Sequence, residues 1–217
     1  MSDDAPMVSI GLPVRNAAHT VASVAHSVLA QRYGSLELVI SDNASTDGTE
    51  DVCRQLARAD GRVVYHRHAE NVGLLNNFIG TIRSARGEYF RWISDSDALD
   101  PDYSQLCVDA FVADQRVVLV TTGVEYQTED GQVASEPYAG TALGSDDPAD
   151  RAVEMLRLLN ESYRLLDPLY GMMRRGAVLS IPWNLTSAMD FKLHDDDHVR
   201  NLHHLATYIS RRYEADA

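Results

Sequence analysis

The feature that most constrains the fold of this chain is a regular alternation of short apolar runs with segments of helical periodicity, up to residue 122. The apolar runs predict β-strands over residues 8–14, 36–40, 62–66, 88–93 and 117–121. Apolar side chains at helical spacing predict intervening helices that contain residues 21–29, 52–57, 74–82 and 101–111. Such alternation is typical of α/β domains, so we expect a mostly parallel, doubly wound sheet with helices on both faces and right-handed crossovers.

Several residues carry signals for where these helices begin and end. Thr20 is predicted to be the N-cap of the first helix. Asp100 is predicted to cap the fourth helix, with Pro101 as its first residue and Leu106 on its apolar face. Gly87 is expected just past the end of the third helix, where glycine is common.

The pattern changes past the fifth predicted strand. A hairpin is predicted over residues 123–134, and a helix is predicted to begin at Asp147-Pro148. The remainder is irregular, and no internal repeat or low-complexity linker interrupts it. We therefore expect one domain over residues 1–217, with a regular half (about 7–122) and an irregular half (about 123–217).

Composition and charge exclude several classes of protein. The formal net charge is −13, which argues against a nucleic-acid partner because cationic contacts to phosphates dominate nucleic-acid affinity. The same charge would repel a phosphorylated small substrate unless a bound cation offset it locally.

No apolar run approaches the ~20 residues of a transmembrane helix, and the N-terminus lacks the features of a secretory signal, so we expect a cytoplasmic protein. Cys53 and Cys107 are expected to be buried free thiols.

Clusters of polar residues follow three of the predicted strands, at 13–16, 42–49 and 95–97. Ligands of parallel α/β sheets bind beyond the carboxyl ends of the strands, so we expect these clusters to meet at one edge. The last cluster contains Asp95 and Asp97, separated by one residue and placed directly after an apolar strand. Carboxylate oxygens suit hard cations such as Mg²⁺, which typically binds through one or two carboxylates together with substrate phosphates. The pair therefore predicts a divalent-cation site able to hold a diphosphate.

The order and spacing of these motifs resemble those of the family 2 glycosyltransferases. The matching segments are VSIGLPVRN at 8–16, LVISDNASTDGT at 38–49, NVG at 71–73, Asn77, ARGEY at 85–89 and DSD at 95–97. The resemblance implies a GT-A fold with a nucleotide-binding half and an acceptor-side half. It also implies a metal-dependent, inverting transfer of a sugar from a nucleotide-diphosphate donor to an acceptor hydroxyl.

The resemblance further implies ligands and residue roles. The donor would be a UDP-, GDP- or dTDP-sugar, the cofactor Mg²⁺ or Mn²⁺, and the acceptor a saccharide, a lipid-linked saccharide or a small molecule. Asp97 would bind the metal, Asp42 would hydrogen-bond the nucleotide base, and Asp190 in the irregular half would be the catalytic base. Asp47 is expected to be a helix cap. The implied nucleotide-sugar-binding residues are Pro13, Val14, Asn16, Asp42, Asn77, Asp95 and Ser96.

Other functions fit the sequence less well. A sugar-nucleotidyltransferase would want a glycine-rich, basic loop after the first strand, and residues 11–16 contain one glycine and no lysine. A dinucleotide dehydrogenase is disfavoured because no G-x-G-x-x-G motif follows a strand. A glycoside hydrolase would need a pair of carboxylates, which the sequence leaves open. The alternative outside catalysis is an inactive protein that binds the donor or serves as a scaffold.

Overall fold

The computed structural model describes residues 5–127, 131–135, 142–147, 149–151, 153–154, 157 and 170–180. The chain divides into two compact units. One comprises Met1–Thr121 with Pro168–Pro182, and the other comprises Thr122–Asp167 with Trp183–Ala217. The first boundary falls where the regular half was expected to end, and a later segment returns to the first unit.

The strands of the described residues form two sheets. They are β1 (Val8–Val14), β2 (Leu36–Asp42), β3 (Val63–Arg67), β4 (Tyr89–Trp92), β5 (Leu119–Val120), β6 (Glu125–Gln127), β7 (Val133–Ser135) and β8 (Met172–Arg174). The first unit holds a six-stranded sheet in the order β3-β2-β1-β4-β8-β5. Strands β3, β2, β1 and β4 are parallel, and β8 is antiparallel to both of its neighbours. The mostly parallel α/β architecture is thus confirmed, and in the second unit β6 and β7 form the expected antiparallel pair.

Helices separate the strands as predicted. They are α1 (Val21–Leu29), α2 (Thr49–Ala59), α3 (Leu74–Ser84), α4 (Tyr103–Ala113) and α5 (Arg175–Leu179). Residues 149–151, 153, 154 and 157 are also helical, where a helix was expected after Asp147. The Asp147 carboxylate accepts a hydrogen bond from the main-chain N–H of Ala149 at 2.8 Å, which satisfies a free donor at that helix start. Within the described part of the chain, no helix has both the length and the apolarity needed to cross a membrane.

The central strand β1 lies in the middle of the core. All seven of its residues are buried, which shows that both faces of the sheet are covered. Helix α1 contributes the buried face predicted from its spacing, consisting of Val21, Val24, Ala25 and Val28. Thr20 is the N-cap position of α1, as predicted, but its hydroxyl donates to the carbonyl of Ala17 at 3.4 Å and does not cap the helix.

The two cysteines are free and buried, as predicted. Burial raises the pKa of the Cys53 thiol to about 12, with a further contribution from the negative charges of Asp42 and Asp47. Burial also raises the pKa of the Cys107 thiol to about 11. Both thiols therefore stay protonated at neutral pH.

The predicted start of α4 is wrong by two residues. The helix begins at Tyr103 with Asp102 as its N-cap, so Pro101 is not its first residue. Asp100 forms a turn ahead of the helix, since its carboxylate accepts from the N–H of Asp102 at 2.8 Å and its carbonyl from the N–H of Tyr103 at 3.0 Å. Leu106, expected on the buried face, is 62% exposed.

A glutamine from another segment explains this start. Gln31 accepts a hydrogen bond from the main-chain N–H of Ser104 at 2.9 Å and donates to the carbonyl of Asp100 at 2.6 Å. It thereby satisfies one of the free donors of the first turn of α4, a role that a local cap would otherwise perform. The contact spans more than seventy residues of sequence, so no local pattern reveals it.

Gly87 is required for a different reason from the one predicted. Helix α3 ends at Ser84, and its C-cap Ala85 is in an extended conformation, so no left-handed glycine closes the helix. A Cβ atom on Gly87 would lie 2.6 Å from Oγ of Ser9 and 2.7 Å from the carbonyl of Met7. The glycine therefore permits close packing of the chain against the start of β1.

Candidate functional site

A cavity of about 480 Å³ lies beyond the carboxyl ends of β1, β2 and β4. The lining residues that the structure describes belong to the first unit: Pro13, Val14, Arg15, Asn43, Asn71, Gly73, Leu74, Asn77, Phe78, Ser94, Asp95 and Tyr170. Each of the three polar clusters singled out in the sequence contributes to this lining. The cavity occupies the position in which open α/β sheets bind their ligands.

The segment leaving β1 is held on both sides of Arg15. The carbonyl of Val14 accepts hydrogen bonds from the N–H of Asn43 at 2.9 Å and from Nδ2 of Asn77 at 3.3 Å. Asn16 is left-handed, with φ of 55°, and its N–H donates to Oγ of Ser45 at 2.9 Å. Oδ1 of Asn16 accepts a hydrogen bond at 2.9 Å from the main-chain N–H of Thr46, the residue after Ser45. The amide of Asn16 thus joins two loops of the site.

Asp42, for which a contact to the base was predicted, is fully buried at the end of β2. Its Oδ1 accepts hydrogen bonds from the N–H and the hydroxyl of Ser45 at 2.9 and 2.6 Å. Its Oδ2 accepts from the Tyr65 hydroxyl at 2.8 Å and lies 3.4 Å from Nε of Arg67. Burial raises the pKa of Tyr65, as does this hydrogen bond, so the phenol remains a donor. Both oxygens of Asp42 are used within the chain, and Asp42 does not line the cavity.

Asn43, the residue after Asp42, lines the cavity instead of Asp42. Its Oδ1 accepts a hydrogen bond from the N–H of Val72 at 2.8 Å, and its Nδ2 donates to the carbonyl of Gly73 at 3.3 Å. Gly73 has φ of 85°, a conformation that residues with a Cβ rarely adopt. The sequence prediction omitted Asn43, although successive side chains of an extended segment point to opposite sides. Asn43 therefore fixes the rim formed by the loop before α3.

Asn77, predicted to contact the nucleotide, is buried and lines the cavity. Its Oδ1 accepts a hydrogen bond from Oγ of Ser41 at 2.7 Å. Oγ of Ser41 also lies 3.2 Å from Nε2 of His68. Because the single hydroxyl proton of Ser41 goes to Asn77, Nε2 of His68 must be the donor in that second contact. The orientation of the Asn77 amide is thus set by the chain itself.

The two carboxylates of the Asp-x-Asp motif lie in a turn after β4. Asp95 is half-buried and lines the cavity, while Ser96 and Asp97 are exposed beside it. Oδ2 of Asp97 accepts from the N–H of Ser94 at 3.3 Å, and Oγ of Ser96 lies 3.2 Å from Oγ of Ser94. Asp47, expected to be a helix cap, accepts a hydrogen bond at 3.0 Å from the N–H of Thr49, the first residue of α2, and so satisfies a free donor at that helix start, although the N-cap position is Gly48.

This acidic turn has the donor chemistry that a hard divalent cation needs. Asp95 and Asp97 each keep one carboxylate oxygen that makes no hydrogen bond to any described residue. No group of three or more His, Cys, Asp and Glu residues gathers within the described ranges. A cation at this turn would therefore bind the two carboxylates together with oxygens of a substrate, as Mg²⁺ commonly does.

Arg15 is a further residue of the site that the sequence prediction missed. It is exposed, it lines the cavity, and its guanidinium makes no hydrogen bond or ion pair with the described part of the chain. Among the described lining residues, Arg15 is the only basic one and Asp95 the only acidic one. The available signal was a basic side chain immediately after the first strand, at the edge where the polar clusters meet. Asp190 lies outside the described residues.

The remaining part of the lining is apolar. Leu74 and Phe78 stand four residues apart on α3, and Tyr170 comes from the segment before β8. Leu74 is 62% exposed. The Phe78 ring packs against Trp92, with ring centroids 6.0 Å apart, and the Trp92 indole N–H donates to the Phe78 carbonyl at 3.1 Å. The cavity thus offers an apolar surface as well as charged groups.

Comparison with known sequences places the chain in a family. The model of glycosyl transferase family 2 matches residues 9–178. The hyaluronan synthase of Pasteurella multocida is 29% identical over 133 residues, which are 61% of this chain and 14% of that protein. The chondroitin synthase of Escherichia coli is also 29% identical over 133 residues, with 61% and 19% covered. The chain spans less than a fifth of the length of either relative.

Solved structures share the fold. The mannosyltransferase PcManGT from Pyrobaculum calidifontis, in complex with GDP-Man and Mn²⁺, aligns with a TM-score of 0.57 at 19% identity, over 82% of this chain and 47% of that one. TarS 1-349 of S. aureus, in complex with UDP-GlcNAc, aligns with a TM-score of 0.60 at 15% identity, over 80% and 46%. These likenesses confirm the predicted GT-A type fold. Since the family model covers most of its length, the chain belongs to glycosyl transferase family 2.

Proposed function

We propose that this chain is a glycosyltransferase that moves a sugar from a nucleotide-diphosphate donor to an acceptor hydroxyl, with inversion at the anomeric carbon. The observation that carries the proposal is the cavity at the carboxyl ends of β1, β2 and β4, in a chain of this family. The bound GDP-Man and UDP-GlcNAc of the two structural neighbours support a nucleotide-sugar donor. UDP-, GDP- and dTDP-sugars are the donors to test.

The donor would contact the predicted residues that line the cavity, which are Pro13, Val14, Asn77 and Asp95. Asn16 and Asp42 would act chiefly by holding the loop after β2, because their side chains bond to that loop. Ser96 would contribute from the turn beside Asp95. The apolar part of the lining suits the face of a base or of a sugar ring.

Asp97, with Asp95, would hold the Mg²⁺ or Mn²⁺ ion. When bound there, the cation would act as a Lewis acid on the diphosphate leaving group. The Mn²⁺ in the PcManGT complex supports the use of a divalent cation. A bound cation would also offset locally the net charge of −13, which by itself disfavours a phosphorylated ligand.

Asp190 would be the catalytic base. It would take the proton of the acceptor hydroxyl while the hydroxyl oxygen forms a bond to the anomeric carbon and the bond to the diphosphate breaks. Attack from the face opposite the leaving group inverts the configuration. The acceptor would be a saccharide, a lipid-linked saccharide or a small molecule. The cytoplasmic location stays a prediction from the sequence.

The test is a donor panel on the purified protein, with Mg²⁺ or Mn²⁺. We expect one class of nucleotide sugar to raise the melting temperature and to release its nucleoside diphosphate on turnover. Asp97→Asn should lose at least about a hundredfold in turnover, as expected when a group acting on the leaving diphosphate is removed. Asp109→Asn on α4, which makes the same change of charge and keeps its acceptor for Gln105, should behave like the wild type.

The possible outcomes separate the proposals. Absence of both binding and turnover with every donor would refute a nucleotide-sugar enzyme. Donor binding without turnover, across a panel of acceptors, would favour the inactive donor-binding alternative.

A further inference from the structure

Hydrogen bonds hold the main chain on both sides of Arg15, while the side chain of Arg15 forms none with the described residues. The carbonyl of Val14 accepts two hydrogen bonds, and both the N–H and the side chain of Asn16 are bonded to the loop after β2. The guanidinium of Arg15, between these anchored residues, has no partner among the described residues and lines the cavity. The Arg15 guanidinium is thus a cationic group that extends from an anchored segment and forms no hydrogen bond or ion pair with the described residues.

The chain has 32 acidic residues, and many of its arginines are paired with one of them. Eight arginines of the described residues pair with a carboxylate: Arg32, Arg54, Arg62, Arg67, Arg86, Arg116, Arg157 and Arg174. The other described arginines form no ion pair with a described carboxylate, and among these Arg15 is the one that lines the cavity, together with Asp95. With one basic and one acidic side chain, the described lining residues carry no net formal charge, in a protein of charge −13. We therefore expect the cavity to repel anions less than the rest of the chain surface does.

We propose that the Arg15 guanidinium binds the diphosphate of the donor. The planar fork of donors in arginine matches phosphate oxygens, and charge-assisted hydrogen bonds of this kind are among the stronger ones in proteins. The cation held by Asp95 and Asp97 would offset the remaining negative charge of the diphosphate. This inference rests on the proposed function, and it adds a positioning and charge-neutralising residue that the motif comparison did not supply.

The experiment is isothermal titration calorimetry of the whole chain in Mn²⁺, with the nucleoside, monophosphate and diphosphate of uridine, guanosine and thymidine. Arg15→Gln should weaken binding of the diphosphate about tenfold, weaken the monophosphate less and leave the nucleoside unchanged. Arg15→Lys should retain part of the affinity because it keeps the charge. Arg58→Gln, the same change of charge at an exposed position of α2, should bind like the wild type.

Each other result overturns the inference in a recognisable way. Equal affinity of Arg15→Gln and wild type for the diphosphate would mean that the guanidinium does not bind it. An equal loss for nucleoside and diphosphate would assign Arg15 to the base. If the wild type binds no nucleotide at all, the proposed function fails together with this inference. Melting temperatures of the variants should match the wild type, because Arg15 makes no contact that holds the fold.

Discussion

Oδ1 of Asn43 accepts a hydrogen bond from the main-chain N–H of Val72 at 2.8 Å, which ties the end of β2 to the loop before α3. Nδ2 of the same amide donates to the carbonyl of Gly73, so one side chain holds two consecutive residues of that loop. Since Asn43 and Gly73 both line the cavity, the shape of its rim depends on this amide.

Replacing Asn43 by alanine should therefore damage binding more than stability. We expect Asn43→Ala to lower the free energy of unfolding by about 1 kcal/mol, because it removes two partly buried hydrogen bonds to the main chain, and to weaken nucleotide binding about tenfold. Urea unfolding and calorimetric titration measure the two effects. Asn76→Ala, which removes only an exposed hydrogen bond to the Val72 carbonyl, is the control and should change little. Unchanged nucleotide affinity of Asn43→Ala would contradict a role for the rim.

The carboxylate of Asp42 should contribute to stability whether or not a ligand is present. Asp42→Asn replaces one accepting oxygen with an NH₂ group, which would face the donors that now bond to the carboxylate. We therefore expect a loss of about 2–3 kcal/mol in the free energy of unfolding. Tyr65→Phe removes a single donor and should cost about 1 kcal/mol. Urea titrations without nucleotide decide the matter. An Asp42→Asn variant as stable as the wild type would show that this carboxylate is not held by its neighbours and is available to a ligand.

Much of the first unit could be predicted from the sequence because its strands are buried on both faces. Every residue of β1 and β2 is buried, so their apolar runs stand out against the helical periodicity around them. The position of the site followed from the same alternation, since parallel strands end at one edge. Strand β8 could not be predicted, because its three residues pair with β4 and β5, which lie far away in the sequence.

Side-chain directions within the site were harder to predict than its location. Asp42 and Asn43 are adjacent polar residues, and which of them faces the cavity depends on the exact end of β2 and on partners such as Tyr65. The start of α4 depended similarly on Gln31. Arg15 was missed because its importance lies in the absence of a partner, and a sequence does not show which arginines are paired.

Glu37 should make the stability of the chain depend on pH. It is buried and accepts hydrogen bonds from Oγ of Ser9 at 2.6 Å and from the N–H of Arg86 at 2.7 Å. Burial acts to raise the pKa of Glu37, but the hydrogen bonds from Ser9 and Arg86 outweigh it and the pKa is lowered. A carboxyl with a lowered folded-state pKa stabilises the fold above its unfolded pKa, near 4.3, and loses this contribution as the pH falls through the folded value.

Glu37→Gln should consequently be less stable than the wild type by about 2 kcal/mol at pH 7, and the difference should shrink below about pH 4. Urea midpoints at both pH values measure it. A gap between variant and wild type that stays constant on acidification would contradict the ionised role of Glu37.

The two thiols should be unreactive in the folded chain. Burial raises the pKa of Cys53 to about 12 and that of Cys107 to about 11, so almost no thiolate forms at pH 8. A disulfide-exchange reagent should label neither cysteine in native buffer and both in urea. Because both pKa values are raised in the folded state, stability should also fall as the pH rises above about 8.5, where only the unfolded thiols ionise. Rapid labelling of either thiol in native buffer would contradict the packing described for α2 and α4.

The central claim is that a nucleoside diphosphate binds at the carboxyl edge of the sheet, between the segment after β1 and the acidic turn after β4. A crystal structure of the chain with Mn²⁺ and the nucleoside diphosphate that most raises its melting temperature tests this most directly. We predict density for the diphosphate in the cavity, next to Arg15, with the ion at Asp95 and Asp97. A nucleotide bound elsewhere on the chain, with the cavity empty, would contradict the account.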